Sequence, residues 1–527
     1  KDAEVIGHNI IGYDVPVLER LLGTDFSSCK ITDTLVLSRL TDPSREGGHS
    51  LDSWGQSLGF PKGEHSDWDT FSQDMVDYCK QDVLVNVKVY NALRSVLAGF
   101  GSESISLEHQ VQSIITKQTD NGWLLDQEHA FILLAKLKEK KYDLEDKVHE
   151  TFKPLPTFIK EITPKYKKDG TMSVVGLKFL GDQWENYTAP FSRIDYPAFN
   201  LGSRQQIGRY LQFFGWKPEK FTEKGHVIVD EAILSKVTGI PEANMIAEYL
   251  MVQKRIAQVQ SWLDAVKDDG RVHGYVNANG AVTGRMTHSS PNVAQVPSSS
   301  APYGKDCRAC WTVPKGYKVV GMDASGLELR MLAHYMNDEG YTNEILTGDI
   351  HTANQLASGV DTRSQAKTFI YAFLYGAGDA KIGSIVGGTA VDGRRLKAKF
   401  LSNTPSLKDL RERVSVASGR GYVHGLDRRR VAVRSEHSAL NTLLQSAGAI
   451  VMKKALCLLD EYASAWKIDY KFIGNIHDEI QTEVRADEAE VFGRLAVSCI
   501  EAAGIYYKLN CPLAGEYQVG DNWSETH

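Results

Sequence analysis

The spacing of apolar residues along this chain predicts long helices in its middle section. Between residues 101 and about 262, apolar side chains recur near helical spacing in SLEHQVQSIITKQTDNGWLLD, EHAFILLAKLKEKKYDLEDKVHETF and ANMIAEYLMVQKRIAQVQSWLDAV. Prolines and the basic run KEITPKYKKDG interrupt this pattern between residues 152 and 199. We therefore expect a mostly helical section that contains an irregular insert.

Strand-like runs stand in the outer parts of the chain, each next to acidic residues. VIGHN predicts a short strand before a helix at DVPVLERLL, with Asp14 at the junction. VVGM predicts a buried strand that ends at Asp323, and a helix begins near Ser325. YKFIGNIHDEIQTEV predicts two strands with Asp478 and Glu479 at the turn between them. The pattern as a whole predicts an α/β protein with several domains.

The stretch RSQAKTFIYAFLYGAG, residues 363–378, predicts a helix with one chemically distinct face. Arg363, Lys367, Tyr371 and Tyr375 recur every four residues, so their side chains form a slowly drifting stripe. The first three span roughly 12 Å at ~1.5 Å per residue, which is about the reach of a nucleoside triphosphate. Cations bind phosphates, and a phenol ring can stack on a base or sugar. An amphipathic helix with a solvated cationic edge is the alternative for this stretch taken alone.

Three acidic side chains occupy positions where an isolated charge is costly. Asp323 ends an apolar strand, and Asp478 and Glu479 are adjacent at a turn between apolar strands. A carboxylate in an apolar setting needs a partner, and adjacent carboxylates repel each other, so a divalent cation would relieve the cost. For Asp323 alone, capping of the following helix is an equal alternative.

Composition narrows the class of protein. A chain of 527 residues can form several domains, and 42% hydrophobic with 24% charged residues is typical of a soluble globular protein. The net charge of −6 argues against a uniformly basic nucleic-acid coat but allows a local basic cleft. Seven scattered cysteines indicate a reducing compartment, and the CxxC at Cys307 and Cys310 lacks the second pair of a zinc site. We expect no transmembrane segment and no signal peptide.

Two motifs near the N-terminus resemble those of the 3′→5′ proofreading exonucleases attached to DNA polymerases. GHNxxxxD includes Asp14, and YxxxD supplies Tyr78 and Asp82 from one face of a predicted helix. In such nucleases the acids hold divalent cations and the phenol orients the attacking water. The family's first motif, a strand with Asp-x-Glu, is expected upstream of Val5. We therefore expect an N-terminally truncated domain with weak or absent nuclease activity.

Three further motifs resemble motifs A, B and C of the family A DNA polymerases, above all the replicative polymerases of short-tailed bacteriophages. They are DASGLELR, RSQAKTFIYAFLYG and HDE, supported by TGRMTHSSPNVAQVPS, ILTGDIHT, LNTLLQSAGA and GDNW. The resemblance implies template-directed DNA synthesis on a right-hand fold with a ribonuclease H-like exonuclease domain. The implied limits are 1–100 for the partial exonuclease, 101–262 for the thumb with its insert at about 152–199, 263–335 and 436–527 for the palm, and 336–435 for the fingers.

The resemblance also implies roles for single residues. Asp323 and Asp478, with the carbonyl of Ala324, would ligate two Mg²⁺ ions, for which Mn²⁺ is an alternative. Glu479 would support the primer end or the outer metal shell, and Lys367 is expected to be catalytic. Residues expected to bind the incoming deoxynucleoside triphosphate are His351, Arg363, Lys367, Tyr371 and Glu328. Residues expected to contact the primer–template DNA are Arg285, Asn292, Gln295, Tyr375, Gln445 and His477.

Two of these positions carry expectations about the sugar of the nucleotide. Many relatives have Phe in place of Tyr371, and the family pattern implies that the tyrosine permits efficient incorporation of dideoxynucleotides. Glu328 would exclude a ribose 2′-hydroxyl by its bulk and by a hydrogen bond to Tyr371. In the similar phage polymerases a long basic thumb loop recruits thioredoxin. The insert here is compact and differently composed, so a processivity factor is allowed but thioredoxin is not assumed.

Three other functions are compatible with parts of the sequence. A single-subunit phage RNA polymerase shares the two metal-binding acids, but Glu328 and the exonuclease motifs disfavour it. A catalytically inactive DNA-binding clamp is disfavoured by the intact Asp323 and Asp478. An exonuclease with a structural partner domain is disfavoured by its incomplete motif set. We expect a cytoplasmic protein, in the bacterial host if it is phage-encoded, with no membrane partner.

Overall fold

The computed structural model describes residues 4–174, 178 and 189–526. It divides into two compact units, Lys1–Asp126 with Ala265–His527, and Gln127–Asp264. The predicted thumb begins at residue 101, whereas the second unit begins at Gln127, because the helix Ser102–Asn121 packs against a strand of the first unit. The limits of palm, fingers and thumb stay predictions.

A four-stranded antiparallel sheet forms the centre of the first unit. The order of its strands is Tyr470–Ile476, Glu479–Arg485, Tyr317–Ala324 and Gly515–Gly520. These strands are rich in Val, Ile and Tyr, which suit a pleated, half-buried surface. The predicted strand–turn–strand unit and the predicted VVGM strand are both confirmed. We call this sheet the central sheet.

Two long helices build the core beneath the central sheet. Helix Ala489–Tyr506 packs on the sheet and on helix Ala439–Ala465. The segment Glu436–Ala465 is long and apolar enough to cross a membrane, although no such segment was expected from the sequence. However, 83% of its most apolar window is buried inside the protein. It is therefore a core helix of the first unit rather than a membrane span.

The remaining elements of the first unit surround this core. The other α-helices are Val15–Leu22, Thr34–Thr41, Leu51–Ser57, Gln73–Leu97, Ser102–Asn121, Gly304–Ala309, Leu327–Met336, Glu339–Leu346, Ile350–Ser358, Arg363–Leu374, Asp379–Ser384, Ala390–Asn403 and Pro405–Ser418. The other strands are Glu4–Gly7, Lys30–Asp33, Trp123–Leu125, Arg271–Val272, Tyr275–Asn277, Thr287–Ser289, Trp311–Thr312, Tyr422–His424 and Arg430–Ala432. Short 3-10 or π turns lie at Ile10–Asp14, Val293–Gln295, Glu436–Ser438 and Trp523–Glu525.

The N-terminal part of the first unit has a small core of its own. Strands Glu4–Gly7 and Lys30–Asp33 pair in parallel, as expected for an α/β segment. Helices Thr34–Thr41 and Gln73–Leu97 bury leucines and valines against each other. The polar side of the first helix also reaches the rest of the unit, because Arg39 donates a hydrogen bond of 2.9 Å to the Tyr275 hydroxyl.

A fully buried group of charges joins three segments of the first unit. Glu108, on helix Ser102–Asn121, accepts hydrogen bonds from Lys453 at 2.7 and 2.8 Å and from Arg429 at 2.6 Å. Arg429 also pairs with Asp427 at 2.6 Å. Buried charges are tolerated when each has a partner, so this group fixes the helix to its neighbours at the cost of desolvation. We call these four residues the buried charge cluster.

The second unit is built on two long helices that pack against each other, with an additional pair of strands. Helix Gln127–Thr151 packs along helix Pro241–Asp264, and shorter helices lie at Arg204–Phe213 and Glu231–Leu234. Strands Thr157–Ile162 and Phe191–Asp195 pair within the segment expected to be irregular, so that expectation is wrong for this part. Residues 175–177 and 179–188 of the same segment lie outside the described residues.

Candidate active site

Asp323 lies at the acidic end of the central sheet. The strand register places it directly opposite Glu479 on one neighbouring strand and Glu516 on the other. Burial, together with the nearby charges of Asp478 and Glu479, raises the pKa of Asp323 to about 7. Burial and neighbouring carboxylates both disfavour the ionised form of this carboxyl, and a bound cation would stabilise it.

Asp478 lies at the tip of the hairpin next to Asp323. His477 precedes it with a φ of 59°, the left-handed conformation that lets the chain reverse direction between the two strands. The Arg285 guanidinium lies 3.5 Å from Asp478 and 3.7 Å from Glu328. The expected meeting of the two carboxylates, Asp323 and Asp478, therefore occurs, with a cation from a neighbouring loop beside them.

Glu479 has a different environment from its neighbour Asp478. Its side chain is buried and accepts hydrogen bonds from Trp523 Nε1 and Gln481 Nε2. Arg308 lies 3.8 Å away from the same carboxylate. Sequence reasoning missed Arg308 and Trp523, although GDNW was noted as a motif. The role of Glu479 at the primer end or the outer metal shell stays a prediction.

The predicted cationic helix runs from Arg363 to Leu374. Thr362 and Gln365 form a capping box, which explains why the helix begins where it does. Arg363 and Lys367 are exposed, whereas Tyr371 is half-buried. Tyr375 is the residue after the last helical turn, so the stripe ends slightly earlier than its four-residue spacing predicts.

His351 lies beside this helix on a neighbouring one, Ile350–Ser358. Burial, followed by the charges of Arg363 and Lys367, lowers its pKa, so it is a neutral imidazole at neutral pH. Its ring centroid is 6.4 Å from that of Tyr371. Among the described residues, none forms a hydrogen bond with its buried Nδ1 atom. His351, Arg363, Lys367 and Tyr371 are thus brought together as expected.

Glu328 has a different partner from the one expected. The Tyr375 hydroxyl donates a hydrogen bond of 2.5 Å to Glu328 Oε1. Burial and this bond raise the pKa of Tyr375. Burial raises the pKa of Tyr371, and the nearby charge of Glu328 raises it further. Glu328 nevertheless accepts its hydrogen bond from Tyr375, not from Tyr371. The expected Glu328–Tyr371 hydrogen bond is therefore replaced by one at the next position of the stripe.

The residues expected to contact the primer–template have different surroundings in the structure. Arg285 and His477 line one small cleft, and Arg285 Nε is buried without a hydrogen-bond partner among the described residues. Gln445 is half-buried on the core helix Ala439–Ala465. Asn292 and Gln295 form a turn through a hydrogen bond of 3.1 Å from Gln295 N to Asn292 O. Contact of these residues with DNA stays a prediction.

The arginines clustered between residues 394 and 430 could be solvated surface or could line a path for a template strand, and several of them contact other parts of the protein. Arg394 pairs with Asp379 at 3.3 Å, and Arg411 lies over the Phe373 ring at 5.3 Å. Arg429 belongs to the buried charge cluster. Because these arginines already bind partners within the protein, their clustering alone does not define a nucleic-acid-binding surface.

The partial exonuclease residues lie in the N-terminal part of the first unit. Asp82 forms an ion pair of 2.9 Å with Lys62, whose ammonium also lies 5.0 Å from the centre of the Tyr78 ring. Burial raises the pKa of Asp14, with a further contribution from Asp33. Lys62 was not among the residues predicted from the sequence. Its ion pair engages the Asp82 carboxylate that would otherwise be available to bind a metal ion.

The acidic end of the central sheet fits a divalent cation in its chemistry. Within the described residues, no group of three or more His, Cys, Asp or Glu side chains is arranged to hold a metal ion. Mg²⁺ is commonly held by one or two carboxylates, with substrate phosphates and waters as the remaining ligands. Asp323 and Asp478 satisfy this smaller requirement, and a cation would offset the burial and the neighbouring negative charge that together raise the pKa of Asp323.

The chain is similar to known proteins along most of its length. The family model described as DNA polymerase family A matches residues 178–525. The DNA-directed DNA polymerase of Escherichia phage T7 is 37% identical over 651 aligned positions, which cover 99% of this chain and 92% of that protein. The thermostable DNA polymerase I of Thermus aquaticus is 28% identical over 355 positions, which cover 62% of this chain and 42% of that protein.

A solved structure supports the same fold. The polymerase domain of Pol1 from M. smegmatis, in complex with DNA primer–template and dNTP, superposes with a TM-score of 0.76. The superposition covers 94% of this chain and 82% of that one, at 20% sequence identity. The predicted right-hand polymerase fold is confirmed by this likeness.

Proposed function

This chain belongs to DNA polymerase family A and performs template-directed DNA synthesis, and we propose that it does so at a two-metal site held by Asp323 and Asp478. The observation that carries the proposal is that Asp323 lies within the influence of the Asp478 charge, with the Arg285 guanidinium 3.5 Å from Asp478. Burial, followed by the charges of Asp478 and Glu479, raises the pKa of Asp323 to about 7, and a bound divalent cation would favour its ionised form. The Ala324 carbonyl is the proposed third ligand, and Mn²⁺ could replace Mg²⁺.

The metal ions, when bound, would lower the pKa of the primer 3′-hydroxyl and neutralise charge on the triphosphate and pyrophosphate. The chain's own residues do the positioning. Arg363 and Lys367 would bind the triphosphate, and His351 would donate a hydrogen bond to it from its imidazole. Tyr371 would pack on the sugar and base. Such positioning and charge neutralisation supply most of the catalysis in phosphoryl transfer.

The remaining residues would place the DNA. Arg285 already lies between Glu328 and Asp478, and its buried Nε has no hydrogen-bond partner among the described residues, which suits a contact with the primer end. Tyr375 is 47% exposed at the end of the cationic helix, where it could stack near the templating base. Asn292, Gln295, Gln445 and His477 would add duplex contacts. The long helices of the second unit would bind the duplex backbone as a thumb.

Primer extension tests this function directly. The chain should extend a primed DNA template with deoxynucleotides and Mg²⁺, and discriminate against ribonucleotides, which an RNA polymerase would not. Asp323→Asn and Asp478→Asn should each lower the extension rate by about a thousandfold or more while duplex binding, measured by fluorescence anisotropy, is kept. Asp487→Asn is the matched control, because Asp487 pairs with Arg485 beyond the far end of the same hairpin. Full activity in both active-site variants would contradict the proposal.

We also propose that the N-terminal part of the first unit, which carries the exonuclease-like residues Asp14, Tyr78 and Asp82, degrades DNA weakly or not at all. The Lys62 ammonium already neutralises Asp82 at 2.9 Å. Degradation of labelled single-stranded DNA in Mg²⁺ should therefore be slow, and Asp82→Ala should not slow it further. Rapid degradation that Asp82→Ala abolishes would contradict this. A cytoplasmic location and a processivity partner are part of the proposal, and adding a candidate partner to the extension assay tests the latter.

A further inference from the structure

Asp349 uses both of its carboxylate oxygens to connect two helix N-termini. It precedes helix Ile350–Ser358 and caps it, accepting hydrogen bonds from the backbone N–H groups of His351 at 3.1 Å and Thr352 at 3.4 Å. The Thr352 hydroxyl donates a third bond of 2.9 Å. The same carboxylate accepts two bonds from Arg363, the first residue of the cationic helix, from Nε at 2.6 Å and from Nη2 at 3.1 Å.

The bidentate pair fixes the direction of the Arg363 guanidinium. Its Nε–Nη2 edge faces Asp349, and the Nη1 end is not used by this carboxylate. A guanidinium carries five N–H donors in a rigid fork, so one edge can hold it while the other binds a phosphate. The arrangement is the one by which outer carboxylates orient the ligating groups of metal sites.

Asp349 carries the negative charge that is needed to hold the Arg363 guanidinium. Hydrogen bonds from Arg363, followed by those from Thr352, hold the pKa of Asp349 well below its usual range, so the carboxylate stays ionised at working pH. The Arg363 side chain is 56% exposed, so the surrounding protein does not hold it in place by packing. Without Asp349 the long arginine side chain would sample many rotamers, and ordering it would oppose nucleotide binding.

We propose that Asp349 is a positioning residue that presents Arg363 and the His351 helix to the triphosphate of the incoming nucleotide. Asp349 itself does not touch the nucleotide, because its oxygens are filled by protein donors. The proposal rests on the proposed function, in which Arg363 and His351 bind the triphosphate. It assigns to one carboxylate the relative placement of these two groups, which lie on different helices.

Steady-state primer extension separates positioning from capping. Asp349→Asn retains a good N-cap residue but replaces one acceptor oxygen with an amide, so the fork to Arg363 is lost. We expect the KM for the deoxynucleotide to rise about tenfold with kcat changed less than about twofold. Asp338→Ala is the matched control, because Asp338 caps the preceding helix, Glu339–Leu346, through Tyr341 N and has Ser406 as its other partner. It should leave KM unchanged.

A double-variant cycle distinguishes failure of this proposal from failure of the proposed function. In an Arg363→Ala background, Asp349→Asn should have no further effect on KM. If Arg363→Ala raises KM but Asp349→Asn leaves it unchanged or lowers it, the positioning role is overturned and the triphosphate site stands. If Arg363→Ala leaves KM unchanged, the proposed triphosphate site itself is wrong. Thermal melting within a few degrees of the parent chain confirms that each variant is folded.

Discussion

The Tyr375 hydroxyl donates a hydrogen bond of 2.5 Å to Oε1 of Glu328, which joins the end of the cationic helix to the helix that follows Asp323. Glu328 also lies 3.7 Å from Arg285. Glu328→Ala should therefore slow deoxynucleotide addition and weaken discrimination against ribonucleotides, by about 10- to 100-fold. The measurement is kcat/KM for matched ribo- and deoxynucleotides.

Tyr375→Phe is the matched variant for this prediction, because it removes only the hydroxyl partner of Glu328. It should weaken the preference for deoxynucleotides less than Glu328→Ala does, since the glutamate side chain still provides bulk. An unchanged sugar preference in Glu328→Ala would refute its role in sugar selection.

Tyr371 is expected to decide how the chain treats nucleotides that lack a 3′-hydroxyl. Its half-buried ring lies beside His351, and its hydroxyl could supply a polar contact that a dideoxynucleotide lacks. Tyr371→Phe should lower dideoxynucleotide incorporation by roughly tenfold to a hundredfold, with normal deoxynucleotide addition. Chain-termination patterns on one template measure this. Equal dideoxy sensitivity of the parent and the variant would count against the assignment.

The buried charge cluster should contribute to stability only while it is complete. Glu108→Gln leaves Lys453 and Arg429 with too little negative charge in a site that excludes water. The free energy of unfolding should fall by about 3–5 kcal/mol, measured by denaturant titration. Glu103→Gln, on the same helix but partly exposed beside Lys454, should cost less than about 1 kcal/mol. Equal losses in the two variants would show that burial is not the cause.

The buried His288 should make the free energy of unfolding depend on pH. Burial lowers its pKa from 6.5 to about 4, so the folded chain favours the neutral ring. The stability that the folded chain has with a neutral His288 ring is fully present above the unfolded-state pKa near 6.5, and it is lost as pH falls towards 4. At about 1.36 kcal/mol for each pKa unit, the loss is about 3 kcal/mol. The unfolding free energy of His288→Asn should therefore vary less than that of the parent between pH 7 and pH 4.

The control for the acid dependence is His424→Asn, at an exposed histidine on strand Tyr422–His424. It should leave the pH profile of the parent chain unchanged. A His288→Asn profile that runs parallel to the parent profile would show that other groups carry the acid sensitivity.

Much of the site could be predicted because its signals are local. The apolar run before Asp323 and the apolar runs on both sides of Asp478 place each acid at the end of a strand, and four-residue spacing aligns Arg363 with Lys367. The family resemblance then implied that these segments meet. Likewise, the spacing of apolar residues predicted the helix Gln73–Leu97.

What could not be predicted depends on side-chain partners that are distant in the chain. Asp349 stands two residues before His351 and directly before its helix, where an acid is a capping signal, but nothing local indicates its pairing with Arg363. The choice of Tyr375 rather than Tyr371 as partner of Glu328 depends on where the cationic helix ends. The pairing of strands Thr157–Ile162 and Phe191–Asp195 was missed because both strands are largely exposed and lack a clear alternation of apolar residues.

The most direct test of the central claim is to count the cations that Asp323 and Asp478 hold. Mn²⁺ binding can be titrated by electron paramagnetic resonance on the full chain with primer–template and a non-hydrolysable deoxynucleotide analogue. We predict two bound ions for the parent chain, and loss of at least one in Asp323→Asn and in Asp478→Asn, with Asp487→Asn unchanged. Two tightly bound ions in both active-site variants would contradict the account.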